Sequence, residues 1–203
     1  RNRTPDILTE FLLIASIHLV AVISPGPDFA VVLRQSLSST RRASIFTALG
    51  IATSEFFHCL YSIFGMELIM RYQENIFLIL KPIAILYLMY LGISSLFTNR
   101  SSETVIQSSS KNFTLGFMTN LLNLQASTFT VTLFFAIVSI DTPLSILILY
   151  AVFIAISTFM WFAFLSFLLT SKGFLYKFNN FIPWIYKFTG IVFIISSFYL
   201  FTL

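Results

Sequence analysis

Long apolar runs parted by short polar breaks dominate this sequence, and a helix that crosses a bilayer needs about 20 predominantly apolar residues. On that measure the pattern predicts six spans: Ile7 to Leu37, Ser44 to Leu68, Asn75 to Phe97, Phe113 to Ile140, Leu144 to Thr170, and a last one opened by Pro183 and reaching Leu203. Turns are expected at Ser38-Ser39-Thr40-Arg41-Arg42, at Arg71 to Glu74 and at Asp141-Thr142-Pro143, with a basic loop from Ser171 to Ile182. The runs lack the strict polar alternation of a barrel strand, so the predicted class is an all-α integral membrane protein. The serine-rich stretch from Thr98 to Asn112 reads as a linker inside one transmembrane domain, with one repeat over about 7–97 and a second over about 113–203.

The first span is interrupted by Ser24-Pro25-Gly26-Pro27-Asp28. Two prolines cannot donate backbone N–H bonds and the glycine between them adds freedom, so the helix should lose its ladder here and restart after Asp28. Main-chain groups freed at bilayer depth are tolerated only where protein or a water-lined cavity receives them, which makes this pentapeptide a candidate binding site rather than only a packing kink. A shift of 99 positions lays Ser24-Pro25-Gly26-Pro27 on Asn123-Leu124-Gln125-Ala126 and His58 on Ser157. Each half holds an odd number of spans, so a second copy must cross the bilayer inverted. The expected architecture is therefore a 3+3 inverted repeat with the first and fourth helices broken, a plan that places a site between the halves near the midplane.

Composition agrees with the membrane reading: 57% of residues are hydrophobic, 10% are charged, mean hydropathy is +0.90 and phenylalanine occurs 25 times, beyond what a soluble domain can cover with polar surface. Arg34, Arg41, Arg42, Arg100, Lys111, Lys172, Lys177 and Lys187 fall on one side of the predicted bundle, against Arg1, Arg3, Arg71 and Lys81 on the other. The positive-inside rule makes the first set cytoplasmic and puts both termini outside. The net charge of +4 thus reports orientation among lipids, and no nucleic-acid partner is expected. Arg1 and Arg3 ahead of an apolar run resemble a signal peptide, but Asp6 and Glu10 interrupt the basic region and no small-residue cleavage site follows, so the segment reads as a retained helix. The single cysteine, Cys59, allows no internal disulfide, and no cofactor or metal site is expected.

Asp28, Glu55 and His58 are ionisable and lie inside apolar runs, where a charged aspartate costs about 2.5 to 3.5 kcal/mol on insertion scales. Measured from the cytoplasmic ends, Pro25 lies nine residues from Arg34, Glu55 eleven from Ser44 and Asn123 twelve from Lys111. At about 1.5 Å per residue all three fall at one level near the middle of the bilayer. Glu55 and His58, three apart, share a helix face and are expected to pair or exchange a proton. Asp28 also suits the cap of the restarted helix, and Asn120, Asn123 and Gln125 suit interhelical hydrogen bonding. His18, ten residues before Asp28, reads as a packed histidine.

Ser24-Pro25-Gly26-Pro27-Asp28, then Arg41-Arg42-Ala43, Ala48-Leu49-Gly50-Ile51, His58 and Gly65, resembles the start of the lysine exporter (LysE) and homoserine/threonine resistance (RhtB) family. Gly116-Phe117-Met118-Thr119-Asn120-Leu121-Leu122-Asn123 looks like that family's fourth-helix motif, which ends asparagine-proline-lysine-alanine where this chain has Asn123-Leu124-Gln125-Ala126. The missing proline is expected to weaken the second break, and the missing lysine removes a charge that could meet an anionic group. The resemblance implies a secondary-active exporter of amino acids or small derivatives in the bacterial inner membrane, proton-coupled and working by alternating access, as a monomer or homodimer. Substrate contacts would fall on Ser24, Pro25, Gly26, Pro27, Asp28, Asn120, Asn123 and Gln125, and proton coupling on Asp28, Glu55 and His58. The competing reading is a non-transporting helical subunit whose intramembrane polar groups bind a partner protein. An enzyme finds no serine-histidine-acid order or zinc motif to rest on.

Overall fold

A computed structural model describes residues 6–24, 26–97, 108–139, 141–171 and 182–202. Among these lie seven helices and no strand: α1 (Ile7–Ile23), α2 (Pro27–Ser38), α3 (Arg41–Leu96), α4 (Ser109–Leu121), α5 (Leu124–Ile137), α6 (Leu144–Leu169) and α7 (Ile182–Thr202). The expected all-helical class is what the chain adopts. The Arg41–Gly65 part of α3 and the whole of α6 are each long and apolar enough to cross a membrane, and α1 with α2, and α4 with α5, pass the same test as bent pairs. α6 shows the arrangement plainly. Tyr150, Ile154, Thr158, Phe162 and Leu165 are buried along one face, while Ile156, Met160, Phe164 and Phe167 stand exposed on the other. An apolar outer surface of that kind suits lipid, not water.

Both expected breaks are present. In the first, Ser24 leaves the helical conformation, Gly26 is extended, and Pro27 takes the first position of α2, where its missing N–H has no helical partner to lose. The pair is bent by 53°. Pro25 lies outside the described residues. In the second, α4 ends at Leu121 and Asn123 caps α5, its Oδ1 accepting the Ala126 N–H at 3.3 Å. That bend is 62°, so the break without a proline is no weaker than the one with two. The expectation of a weakened second break is corrected: an asparagine side chain offers the main chain an alternative acceptor, and this suffices to restart a helix.

Two boundaries also differ from the pattern. The connection expected at Arg71 to Glu74 is helical, within α3. Tyr87 of α3 nevertheless bonds Thr119 of α4 at 3.2 Å, and Thr47 of α3 lies against Gly116, one turn away on α4. Forty residues of straight helix would separate 47 from 87 by about 60 Å, so α3 bends back between them and supplies two arms. α4 starts at Ser109, inside the stretch read as linker, because the Ser108 hydroxyl accepts the Lys111 N–H and caps it.

The packing is layered. One apolar cluster holds Ile14, Cys59, Leu133, Phe134, Tyr150 and Ile154; another holds Ala30 to Leu33, Ala48, Ile51, Leu88, Phe162 and Leu169. Between Ile154 and Phe162 on α6 comes Thr158, between Ile14 and Ala30 comes His18, and between Ile51 and Cys59 comes Glu55, so a polar layer separates the two clusters. Close approach of α3 and α4 narrows that layer. A Cβ on Gly50 would strike the Phe113 carbonyl, and one on Gly116 would strike the Thr47 carbonyl, so only glycine admits this crossing.

Polar fastenings lie beyond each cluster. Glu10, fully buried on α1, accepts the Ser139 N–H at 2.9 Å, the Thr142 hydroxyl at 2.9 Å and the Tyr150 hydroxyl at 3.3 Å. Toward the opposite face, Ser44 bonds Ser36 and Ser166, each at 2.6 Å, and Arg41 Nε donates to Thr170 Oγ1 at 2.9 Å.

Candidate functional site

The polar layer holds a partly open cavity of about 200 Å³. Ser24, Gly26, Pro27 and Asp28 line it from the first break, Asn120, Asn123 and Gln125 from the second, and Glu55 from α3. Of the predicted site residues, all these come together; Pro25 is outside the described residues, and His58 is elsewhere.

Asn120 joins the parts. Its single Nδ2 donates to Asp28 Oδ2 at 3.1 Å and to Glu55 Oε2 at 3.3 Å, using both amide hydrogens. Asn123 Nδ2 donates to the same Asp28 oxygen at 3.0 Å, and Thr130 Oγ1 donates to Glu55 Oε1 at 2.6 Å. Both oxygens of Glu55 are therefore satisfied. Asp28 Oδ1 and Asn120 Oδ1 are buried and have no partner. Buried acceptors left open are rare in folded proteins and point to a donor that arrives from outside the chain.

Asp28 does not cap α2. Gly26 holds the cap position, and the carboxylate turns to the two asparagines instead. The first amides of a helix have no intrahelical partner. In α2 the Ala30 N–H bonds back to the Gly26 carbonyl at 2.9 Å, and Asp28 and Phe29, ahead of it in the first turn, line the cavity. α5 begins at the same cavity, so two helix N-termini bring partial positive charge to a chamber whose open side-chain acceptors sit on Asp28 and Asn120. One small zwitterion would satisfy both sets. The volume lies below the ~300 Å³ at which sites for drug-sized ligands begin.

His58 and Glu55 do not bond each other. His58 Nε2 meets the Asn120 carbonyl at 3.1 Å, its Nδ1 bonds Tyr61, and the Tyr61 hydroxyl bonds Ser127 at 2.5 Å. The histidine thus stands behind the wall that Asn120 forms. His18 is buried as expected, but it also lines the cavity, bonded through Nε2 to Thr158 Oγ1 at 3.2 Å. Thr130 and Thr158 escaped the sequence reading. Thr130 lies seven residues after Asn123, on the same helix face, and Thr158 is the neighbour of the Ser157 that the 99-residue shift lays on His58.

A helical membrane protein in which two broken spans meet at a polar, partly unsatisfied chamber is the class this geometry defines. The family model described as LysE type translocator matches residues 19–203, and the chain belongs to that family. It is 27% identical to the uncharacterised membrane protein YahN of Escherichia coli K12 over 80% of this chain and 76% of that protein. It is 29% identical to the threonine efflux protein of the same strain over 59% of this chain and 62% of that protein, and 27% identical to the membrane protein YrhP of Bacillus subtilis 168 over 89% and 93%. No solved structure matches the chain.

Proposed function

We propose that the protein exports small neutral amino acids across the bacterial inner membrane. The observation that carries this reading is the pair of unpartnered buried acceptors, Asp28 Oδ1 and Asn120 Oδ1, on two residues of the cavity wall beside two helix N-termini. An ammonium group donates up to three hydrogen bonds to such acceptors, and a carboxylate is favoured at the first turn of a helix. Membership in the translocator family and likeness to a protein named for threonine efflux support it.

Six spans arranged as two inverted halves, 7–97 and 113–203, give the fold a way to move the site from one face to the other. Support comes from the two breaks: their end residues, Ser24 and Asn123, stand 99 positions apart, the shift read from the sequence. The Glu10 and the Ser44–Arg41 fastenings join the halves on either side of the cavity, so alternating access would release one set while the other holds. Asp28 and Glu55 are the groups for an incoming proton, and a potential of 100 mV supplies about 2.3 kcal/mol per charge, which sustains a gradient of about 50-fold.

The test is efflux of labelled amino acids from loaded cells. Asp28→Asn combined with Glu55→Gln should slow export about tenfold or more, since hydrogen bonds to a charged partner contribute about 1.5–3 kcal/mol. Unchanged efflux would remove the exporter reading and leave the partner-binding subunit in its place.

A further inference from the structure

We propose that His18 and Thr158 read the side chain of the transported molecule, forming a neutral hydrogen-bonding subsite at the far end of the cavity. The inference rests on the amino-acid reading above and concerns which residues discriminate between substrates. Charge accounting comes first. Among the described lining residues there is no lysine or arginine to meet an acidic side chain. The carboxylates among those residues are Asp28, whose Oδ1 is taken by the α-ammonium, and Glu55, held by Thr130 and Asn120. An acidic side chain would therefore enter beside two carboxylates without a counter-charge, which is costly.

Position comes next. His18 precedes the break at Ser24 by six residues, about 9 Å of helix rise, so it stands away from the zwitterion-binding pole. Val22, Ile51, Phe129 and Phe162 give the cavity wall its apolar character. Against that background the His18–Thr158 pair is the buried polar feature away from the two breaks, where Ser24 and Gln125 lie, with Thr158 2% and His18 4% exposed. Their mutual bond of 3.2 Å uses one ring nitrogen and part of the hydroxyl's capacity. The ring also meets the Ile154 carbonyl, so the capacity left to the pair is a further lone pair on the Thr158 hydroxyl, which can accept from a hydroxyl or carboxamide without breaking the bond to His18. His18 sits on α1 and Thr158 on α6, so a side chain held there touches both halves.

Counterflow in proteoliposomes tests the assignment, using the full chain and labelled alanine, threonine, glutamine and glutamate. Thr158→Val, which keeps shape and removes the hydroxyl, and His18→Leu should each lower the threonine-to-alanine or glutamine-to-alanine rate ratio about tenfold, with alanine within about twofold of wild type. His18→Gln, which restores a donor near the Nε2 position, should keep the ratio. A parallel fall for alanine and its polar counterparts marks a purely structural role and overturns the proposal, as does an unchanged ratio in Thr158→Val. Glutamate exchange as fast as threonine overturns it too. A wild-type protein that exchanges none of the four removes the amino-acid reading itself, whereas one that exchanges alanine and its polar counterparts equally removes only the subsite.

Discussion

The first bent span opens where the main chain has lost its donors, at Ser24-Pro25-Gly26-Pro27, and the second opens at Leu122-Asn123, where no proline stands. Their angles, 53° and 62°, are close, yet their causes differ. At the first break the covalent structure of proline forbids the ladder, and Gly26 forms the cap position without any side-chain bond. At the second, every residue could continue a helix. There Asn123 supplies an acceptor to Ala126 with one end of its amide and a donor to Asp28 with the other. The first bend is thus built into the backbone, while the second is held by side-chain bonds that are also the contacts of the site. Substitutions should therefore act unequally on two bends that look alike.

The largest effect is expected at Asn120, in the last turn before the second break. Asn120→Leu removes the donor that both Asp28 and Glu55 share, and should cost about 3 kcal/mol or more of stability together with most export. Thermal melting in detergent alongside efflux measures both, and a variant that melts with wild type would show that side-chain bonds do not hold the second bend to the first. A smaller loss, about 2 kcal/mol, is expected for Asn123→Ala, which gives up a cap and one bond to a carboxylate. Asn123→Asp separates the two roles: it keeps the cap and should recover much of the melting temperature, but it offers Asp28 no donor and should not recover export. Pro27→Ala should change least, under about 1 kcal/mol, because Pro25 and Gly26 still interrupt the ladder and the proline's contribution comes mainly through the unfolded chain. If Pro27→Ala were the more damaging of the two single changes, the assignment of backbone and side-chain causes would be reversed.

The same contrast sets what could be read beforehand. Proline and glycine announce a break wherever they fall, so the first bend was legible from five residues. The second was placed correctly only through the 99-residue shift, and its strength was underestimated because asparagine was weighed as a family motif lacking its proline rather than as a cap. Helical rise put Pro25, Glu55 and Asn123 at one level, and Asp28, three residues beyond Pro25, meets Asn123 directly and Glu55 through Asn120. Rise does not say which way a side chain points. Glu55 and His58 share a helix face, yet Glu55 turns to Thr130 and His58 to the Asn120 carbonyl and Tyr61. His18 was set aside by the same measure of height, and the bend at Ser24 is what lets it and Asp28 line one cavity.

The sequence by itself determined the helical membrane class, the apolar lengths of the helices and the presence of ionisable groups at bilayer depth, since each follows from local pattern and the cost of exposing polar atoms to lipid. Only the tertiary structure decided that α3 folds back as one helix, that Gly50 and Gly116 bring α3 and α4 into backbone contact, and that Glu55 is satisfied while Asp28 Oδ1 and Asn120 Oδ1 are left open. The reason is that hydrogen-bond satisfaction belongs to pairs of residues far apart in the chain. Asn120 acquires its meaning from Asp28 and Glu55, 92 and 65 positions away.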